Sequence, residues 1–589
     1  MQKQKVVVVG GGLSGLMATI KIAEQGIPVD LVSLVPVKRS HSLCAQGGIN
    51  AALDTKGQND STYEHFYDTV YGGDFLANQP PVKEMCDAAP GIIHYMARAG
   101  VMFSRTPEGN LDLRLFGGVK KRRTVFAGAT SGQQLLYGCD EQVRKYEAKG
   151  IVTKYEGWEF LSTIIDENRV CRGIVAQNLT TMEIKVFKGD AVLIATGGAG
   201  MIYGKSTNST INTGSAAASI YQQGVAYANA EFVQIHPTGM IGDDKHRLMS
   251  EAARGEGGRI WTYKDGKPWY FLEEWYPAYG NTVPRDIAAR AIYKVCVEMG
   301  LGIDGKNQVY LDLTHLDPKF LDTRLGGILE IYQNFQGDDP KKVPMKIFPA
   351  IHYFMGGIHV DWKHHTEITG LFASGECDYM YHGANRLGAN SLLSALYSGT
   401  VVGPSIVEYL KNIDKTASDV RSSVYESQLK KEEEVYKNLC NMSGKENPYV
   451  LHEEMGDMMR ANVGIVRYNK KLKETDDKLQ EMMERYKNIG LVDNSKWSNQ
   501  DVMFVRQLKN MMELARVITL GALNRNESRG SHYKPEFSQR DDENWLKTTK
   551  AYWTEKGPRF EYEDVDISLV KPVPRVYNVD GRQGKKEAK

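Results

Sequence analysis

The sequence predicts an α/β protein whose N-terminal part is built on a parallel, doubly wound sheet, and three observations carry that reading. Lys5 to Val9 is a β-branched run ending in Gly10-Gly11-Gly12-Leu13-Ser14-Gly15. A helical pattern follows, with apolar Leu16, Ile20 and Ala23 and a stop at Gly26, and Val29 to Val32 then reads as a second strand. Asp190 to Ala195 is another short apolar run, closed by Thr196-Gly197-Gly198, as expected of a strand buried on both faces.

At 589 residues the chain exceeds what one core supports, so two or three domains are expected. Residues 236–351 are rich in aromatics, Gly and Pro and read as an inserted capping domain. Strand signals return at Gly370-Leu371-Phe372-Ala373, and Asn390 to Val402 reads as a helix with a small-residue face. The nucleotide-binding domain is therefore discontinuous, 1–235 and 352–404. From 405 to 528 Lys, Glu, Met and Leu recur at helical spacing, which predicts packed helices. The segment 529–589 is polar and aromatic and reads as a tail wrapping the surface.

The formal net charge of +1 gives no footprint for nucleic acid or for a strongly acidic partner. The clusters Lys120 to Arg123 and Gly584-Lys585-Lys586 are short and read as solvated surface. No apolar run approaches the roughly 20 residues of a membrane span, and a strand pattern follows Met1 almost at once. The expectation is a cytosolic chain that reaches a membrane only through another subunit. The seven cysteines show no C-x-x-C pair, which predicts free thiols, no iron–sulfur ligation in this chain and no metal site.

Gly10, Gly12 and Gly15 form G-x-G-x-x-G between a strand and a helix. Gly10 permits the tight turn, Gly12 lets backbone approach a pyrophosphate, and Gly15 lets helix and strand pack closely. The diphosphate then meets the helix N-terminus, where free N–H groups favour anions. The acidic residue expected at the end of the second strand is absent. Ser33 stands there, with Asp30 earlier, which weighs against NAD and leaves FAD open, since a hydroxyl also bonds ribose.

Arg39-Ser40-His41-Ser42 precedes Ala45-Gln46-Gly47-Gly48, whose paired glycines admit a flat ligand. These residues resemble the flavin-attachment segment of the succinate dehydrogenase and fumarate reductase flavoproteins, in which the His is bonded covalently to FAD. The resemblance continues through most of the chain: Phe116-Gly117-Gly118, Ala195 to Gly198, His236-Pro237-Thr238-Gly239, Glu251 to Gly258, Pro284-Arg285-Asp286, His352-Tyr353, Gly375-Glu376, His382 to Leu392, Arg525 to Tyr533 and Arg540 to Trp545. It implies a Rossmann-like FAD-binding domain with an inserted capping domain, a helical domain and a C-terminal extension. It also implies FAD held by Gly10, Gly12, Ser14, Gly15, Ser33, Ser40, His41 (the covalent link), Gln46, Gly47, Gly48, Glu376, Asn390, Ser391 and Leu392.

A C4 dicarboxylate needs two anion-binding ends. Arg386 offers a planar fork suited to a carboxylate, His236 and His352 offer donors, and Ser250 with Glu251 can finish the polar lining, while Phe116 resembles the family's substrate-loop Phe. By resemblance Arg285 is the acid–base residue, with Glu251 and Arg254 relaying protons; the bland reading is that Arg285 only binds charge. Electrons pass by resemblance to an iron–sulfur subunit, then to quinone through a membrane cytochrome b anchor, with the chain peripheral on the cytoplasmic side of the cell membrane. Three departures stand out: Ser250 replaces a usual Thr, Ser215 stands where many members carry Asp, and Ser33-Leu34 lacks a common Lys. With Cys377-Asp378 they resemble the branch with a single di-heme cytochrome b, which commonly uses menaquinone. The rival readings are L-aspartate oxidase, a soluble fumarate reductase and a noncatalytic flavin-binding assembly protein. His41 argues against the first two, whose flavin is noncovalent, and Arg285 against the third.

Overall fold

The computed structural model describes residues 4–577. Its centre is a five-stranded sheet in the order Leu371–Ala373, Ala191–Ile194, Val6–Val9, Val29–Ser33, Val152–Glu156, parallel throughout. Val6–Val9 is central and buried on both faces, which is why it is four consecutive valines rather than an alternating pattern. All five strands point their carboxyl ends at one edge, where open α/β sheets hold their ligands.

The glycine turn that follows is dictated by contact. A Cβ on Gly10 would lie 2.2 Å from the Ala195 carbonyl oxygen, and one on Gly15 would lie 2.0 Å from the Gly10 carbonyl oxygen. Gly12 has nothing closer than Ser42 Oγ at 3.4 Å and presents bare backbone to the cleft. The helix Leu13–Ala23 then packs on the helix Asn390–Lys411. Gly399 and Gly403 make this approach possible, since a Cβ at either would fall within 2.7 Å of Met17 or Lys21 side chains. The small-residue face read from the sequence is thus a helix-packing face. The helix itself continues through Pro404 to Lys411, across the expected boundary at 404.

A six-stranded antiparallel sheet carries the capping region, in the order Arg247–Leu248, Val233–Met240, Met345–Phe354, Val309–Asp312, Arg259–Lys264, Lys267–Trp269. It packs its own apolar core around Met249, Ile260, Leu311, Leu325 and Ile347, to which Phe116 and Ala389 are added from outside. Helices Ser422–Cys440, Pro448–Asn462, Asn469–Tyr486 and Gln500–Asn524 place Leu451, Met455, Leu472, Leu479 and Met512 in the main core. All seven cysteines are free.

Two surface expectations are corrected. Arg123, within the basic run 120–123, is fully buried and pairs with Asp60 and Asp68 at 2.8 and 2.9 Å. The C-terminal segment is more than a surface wrapping: Arg529, His532 and Lys534 are buried, and strand Lys547–Tyr552 joins a sheet with Tyr227–Ala228, while the outer strand Arg559–Asp564 stays largely exposed. The 584–586 cluster lies outside the described residues.

Arg525 anchors this segment. It is fully buried and donates to Glu231 Oε1 at 2.7 Å, Glu527 Oε1 at 2.9 Å and the Trp545 and Lys547 carbonyls. Removing one partner of a buried ion pair strands the others without solvent. Arg525→Met is therefore expected to cost about 3–5 kcal/mol, read as a lowered urea midpoint; an unchanged midpoint would show that the network contributes nothing.

Candidate active site

The cleft at the sheet edge gathers residues from distant parts of the chain. Gly10, Gly11, Gly12, Ser14, Ser33, Ser40, His41, Gln46, Gly47, Gly48, Glu376, Ser391 and Leu392 line it, together with Phe116, Arg285, His352 and Arg386. Phe116 lies against Gly47, where a Cβ would fall 2.5 Å from the ring, so only glycine leaves room there. Ser40 Oγ and Gln46 Oε1 are buried without a partner, as atoms awaiting a ligand would be. Ser33 Oγ donates to the Val35 carbonyl at 2.6 Å, which leaves its lone pairs to accept from a ribose hydroxyl. Ser14 Oγ sits 2.6 Å from Ser374 Oγ and 3.0 Å from Ser398 Oγ.

Two expected cofactor residues stand apart from the lining. Gly15 acts from beneath, through the packing above. The Asn390 side chain is turned away into a buried network with Asn50, His65 and Thr69 at 2.8–2.9 Å. What the helix Asn390–Lys411 offers the cleft is its N-terminal turn, Ser391 and Leu392. Those first N–H groups have no partner within the helix and favour negative charge.

His41 Nδ1 accepts the Ser209 amide at 3.1 Å, so whatever the ring carries, hydrogen or a covalent bond, it carries on Nε2. Burial, with Lys245 nearby, pushes its pKa down to about 4, which keeps the ring neutral. Asn208, 3.3 Å from His41 Nε2, also donates to the His352 carbonyl at 2.7 Å and ties the two histidines together.

Beyond the glycine floor lies a cluster of charge. Glu251 is buried and bonded on both sides: Arg254 Nη2 reaches Oε1 at 2.6 Å, and Arg285 Nε and Nη2 reach Oε2 at 2.7 and 2.6 Å. Burial alone would raise the Glu251 carboxyl, but Arg285 and Arg254 together hold it below the ordinary carboxylate range. Glu251 and Arg254 do not line the cleft; they stand behind Arg285. Ser250 is also set back, its Oγ accepting the Ala252 amide at 3.3 Å.

Arg386 is the exception in this cluster. It is 2% exposed, yet its guanidinium meets only the Tyr353 ring face, 4.3 Å from the centroid, and Nε has no partner among the described residues. Burial and the neighbouring Arg285 charge push its pKa down to about 9. His236 and His352 pack edge-to-face at 4.8 Å. His236 Nδ1 accepts the Thr238 amide at 3.2 Å, so its hydrogen sits on Nε2, which is buried and unpartnered. Burial and the arginine charges hold both histidines well below the usual range, which keeps their rings neutral. Arg254, Arg285 and Arg386 set against Glu251, which bonds only the first two, leave two positive charges in surplus.

Sequence reasoning missed Gln234 and Asn208. Gln234 is buried; its Oε1 accepts from Arg285 Nη1 at 3.0 Å and its Nε2 donates to the Arg386 carbonyl at 2.6 Å. The period of two along the strand Val233–Met240 relates it to His236 and was the available signal.

The glycine turn, the partnerless polar atoms and the helix N-terminus define a dinucleotide-binding protein. Residues 5–392 match the family model of the FAD binding domain, and residues 452–577 that of the fumarate reductase flavoprotein C-terminus. The chain is 65% identical over 580 residues to the succinate dehydrogenase flavoprotein subunit of Bacillus subtilis (strain 168), covering 98% of this chain and 99% of that one. It is 35% identical over 586 residues to the fumarate reductase flavoprotein subunit of Escherichia coli (strain K12), covering 97% and 95%. A solved Escherichia coli quinol fumarate reductase chain superposes with a TM-score of 0.92 at 34% identity, covering 98% and 100%. The chain belongs to the succinate dehydrogenase and fumarate reductase flavoprotein family.

The nucleotide end of the site has a direct test. Gly15→Ala places a methyl group 2.0 Å from the Gly10 carbonyl oxygen and should purify with a small fraction of the normal flavin absorbance per chain. Gly91→Ala, whose Cβ would meet nothing within 4 Å, should keep it. Equal flavin content in the two variants would mean that the turn does not hold the dinucleotide.

Proposed function

We propose that the chain is the catalytic flavoprotein subunit that interconverts succinate and fumarate, with FAD bound covalently through His41 Nε2. The observation that carries this reading is Arg386, a buried guanidinium without an anionic partner, beside Arg285, His236 and His352. A pair of positive charges in excess, flanked by neutral donors, fits a dianion with a carboxylate at each end.

Arg386 offers its fork to one carboxylate, and His236 Nε2–H and His352 supply further donors. Phe116, stacked over Gly47, supplies an apolar wall for the carbon skeleton between them. Bound in the glycine-lined cleft, FAD supplies the acceptor or donor of the hydride exchanged with one substrate carbon. The proton on the other carbon falls to Arg285. An arginine is a poor base alone, because its pKa exceeds about 12. Here two of its nitrogens already contact Glu251 Oε2, so a proton gained on one side can be matched by one handed to the carboxylate. Arg254, on the other oxygen of Glu251, continues the relay. The N-terminal turn at Ser391 and Leu392, which lines the cleft, would favour negative charge on the reduced cofactor.

The named relatives are flavoprotein subunits, which supports an electron exit through an iron–sulfur subunit and a membrane cytochrome b anchor to quinone. Among the described residues no helix is long and apolar enough to cross a membrane, so attachment to the cytoplasmic face would come through those partners. The capping region, with its own core, would close over the dicarboxylate and exclude water.

Two outcomes are expected. On a denaturing gel the chain gives a fluorescent flavin band whose label maps to the His41 peptide; a dark band with flavin released would remove the covalent link. Arg285→Ala lowers turnover in both directions by about 10²–10⁴-fold while an inert dicarboxylate such as malonate still perturbs the flavin spectrum. Retained turnover would return Arg285 to a charge-binding role only.

A further inference from the structure

We infer that Arg575, in the C-terminal segment, is a positioning residue for Arg285 and acts through Asp286. The inference rests on the reading of Arg285 as the proton-transfer group.

Arg285 and Asp286 open the helix Arg285–Tyr293 and face opposite ways. Arg285 turns to Glu251 and Gln234. Asp286, equally buried, turns to the C-terminal segment, where Arg575 grips it in a fork: Nη1 to Oδ2 at 2.9 Å and Nη2 to Oδ1 at 3.1 Å. Such a two-point contact fixes direction as well as distance. The same carboxylate accepts Asn385 Nδ2 at 3.1 Å and Arg290 Nη2 at 3.3 Å.

These bonds close a ring. Asn385 Oδ1 accepts Gln234 Nε2 at 3.0 Å, and Gln234 Oε1 accepts Arg285 Nη1 at 3.0 Å. The path runs from the Arg285 side chain through Gln234, Asn385 and Asp286 back to the Arg285 main chain. Arg575 clamps this ring from outside and is itself held: its Nε donates to Tyr577 Oη at 3.1 Å, and its other carboxylate neighbour is Asp74 at 3.5 Å.

The segment carrying Arg575 is strapped to the main body. Gln79 Oε1 accepts the Leu569 and Val570 amides at 3.0 and 2.8 Å, Tyr71 Oη accepts the Val576 amide at 2.6 Å, and the Tyr577 ring packs edge-on against Tyr71 and Tyr279. Without Arg575, Asp286 keeps one longer cation contact and an amide. The carboxylate is then free to turn, carrying Asn385 and Gln234 with it, and the aim of Arg285 is lost while Arg386 and the histidines keep their donors. Misplacement by about 1 Å at a reacting group costs on the order of 10²-fold in rate.

The test measures kcat per bound flavin, KM, malonate affinity and melting temperature for Arg575→Met, Arg575→Lys, Asp286→Asn and the Arg575→Met/Asp286→Asn double variant, in the assembled holoenzyme. Arg575→Met is expected to lower kcat about 10- to 100-fold while malonate affinity changes less than about threefold. Arg575→Lys, which can meet one carboxylate oxygen but not both, should recover part of kcat. The double variant should be no slower than the worse single one, because both act on one contact. If Arg575→Met gives no stable holoenzyme, Arg575→Lys alone should still show reduced kcat with unchanged malonate affinity. An unchanged kcat in either arginine variant, additive effects in the double variant, or a loss of kcat that tracks malonate affinity and melting temperature would overturn the inference. Turnover retained by Arg285→Ala would sink the underlying reading as well. An inactive Arg285→Ala beside a fully active Arg575→Met would sink this inference alone.

Discussion

The site depends on one buried imbalance: Glu251 is shared by two arginines, and Arg386 beside them has no carboxylate bonded to it among the described residues. A buried ion without a partner costs several kcal/mol even after relaxation, so a fold keeps one only where the surroundings cannot rearrange to cancel it. Here the guanidinium lies against the Tyr353 ring, and the nearby carboxylate of Glu376, bonded to no arginine among the described residues, is pushed up to about 7 by its own burial. The resulting field is positive and fixed in direction before any ligand arrives. This is the kind of environment in which small, highly charged molecules are discriminated by charge rather than by shape.

The architecture explains how such a site is held. The parallel sheet and the glycine turn fix the floor of the cleft, and the N-terminal turn of the helix Asn390–Lys411 abuts it because Gly399 and Gly403 let that helix lie close on Leu13–Ala23. The antiparallel sheet brings His236 and His352 together from paired strands. Arg285 comes from the helix beneath that sheet, and Arg386 from the loop before the long helix. A buried amide, Gln234, bridges the two arginines. Arg525, at the end of the last long helix, and Arg529 and Arg575 of the C-terminal segment bury more charge against Glu231, Glu527, Asp286 and Asp74.

Much of this was legible in the sequence, for physical reasons. The glycine motif reads directly because each of its outer glycines answers a contact that no side chain survives. The strand runs read because strands buried on both faces must be continuously apolar. Arg285, Arg386, Glu251 and the histidines were named from motif resemblance, and the structure brings them into one cluster. What did not read were residues whose role depends on a partner far along the chain. Arg123 looked like surface because its neighbours are basic, yet Asp60 and Asp68 neutralise it in the interior. The polar C-terminal segment looked superficial because composition does not show that its arginines meet buried carboxylates. Asn390 looked like a cofactor ligand from its place in a motif, but its amide completes a polar network with Asn50, His65 and Thr69, and only the helix end it begins faces the cleft.

The most direct test of the central claim is a titration of the flavin spectrum with short carboxylates of different charge. Surplus positive charge with a donor set at each end predicts that succinate-length dicarboxylates and malonate bind at least about 100-fold more tightly than butyrate, the cost of one lost charged contact of about 3 kcal/mol. It also predicts that Arg386→Met abolishes most of this preference. Equal affinity for mono- and dicarboxylates, or a preference that survives loss of Arg386, would contradict the account.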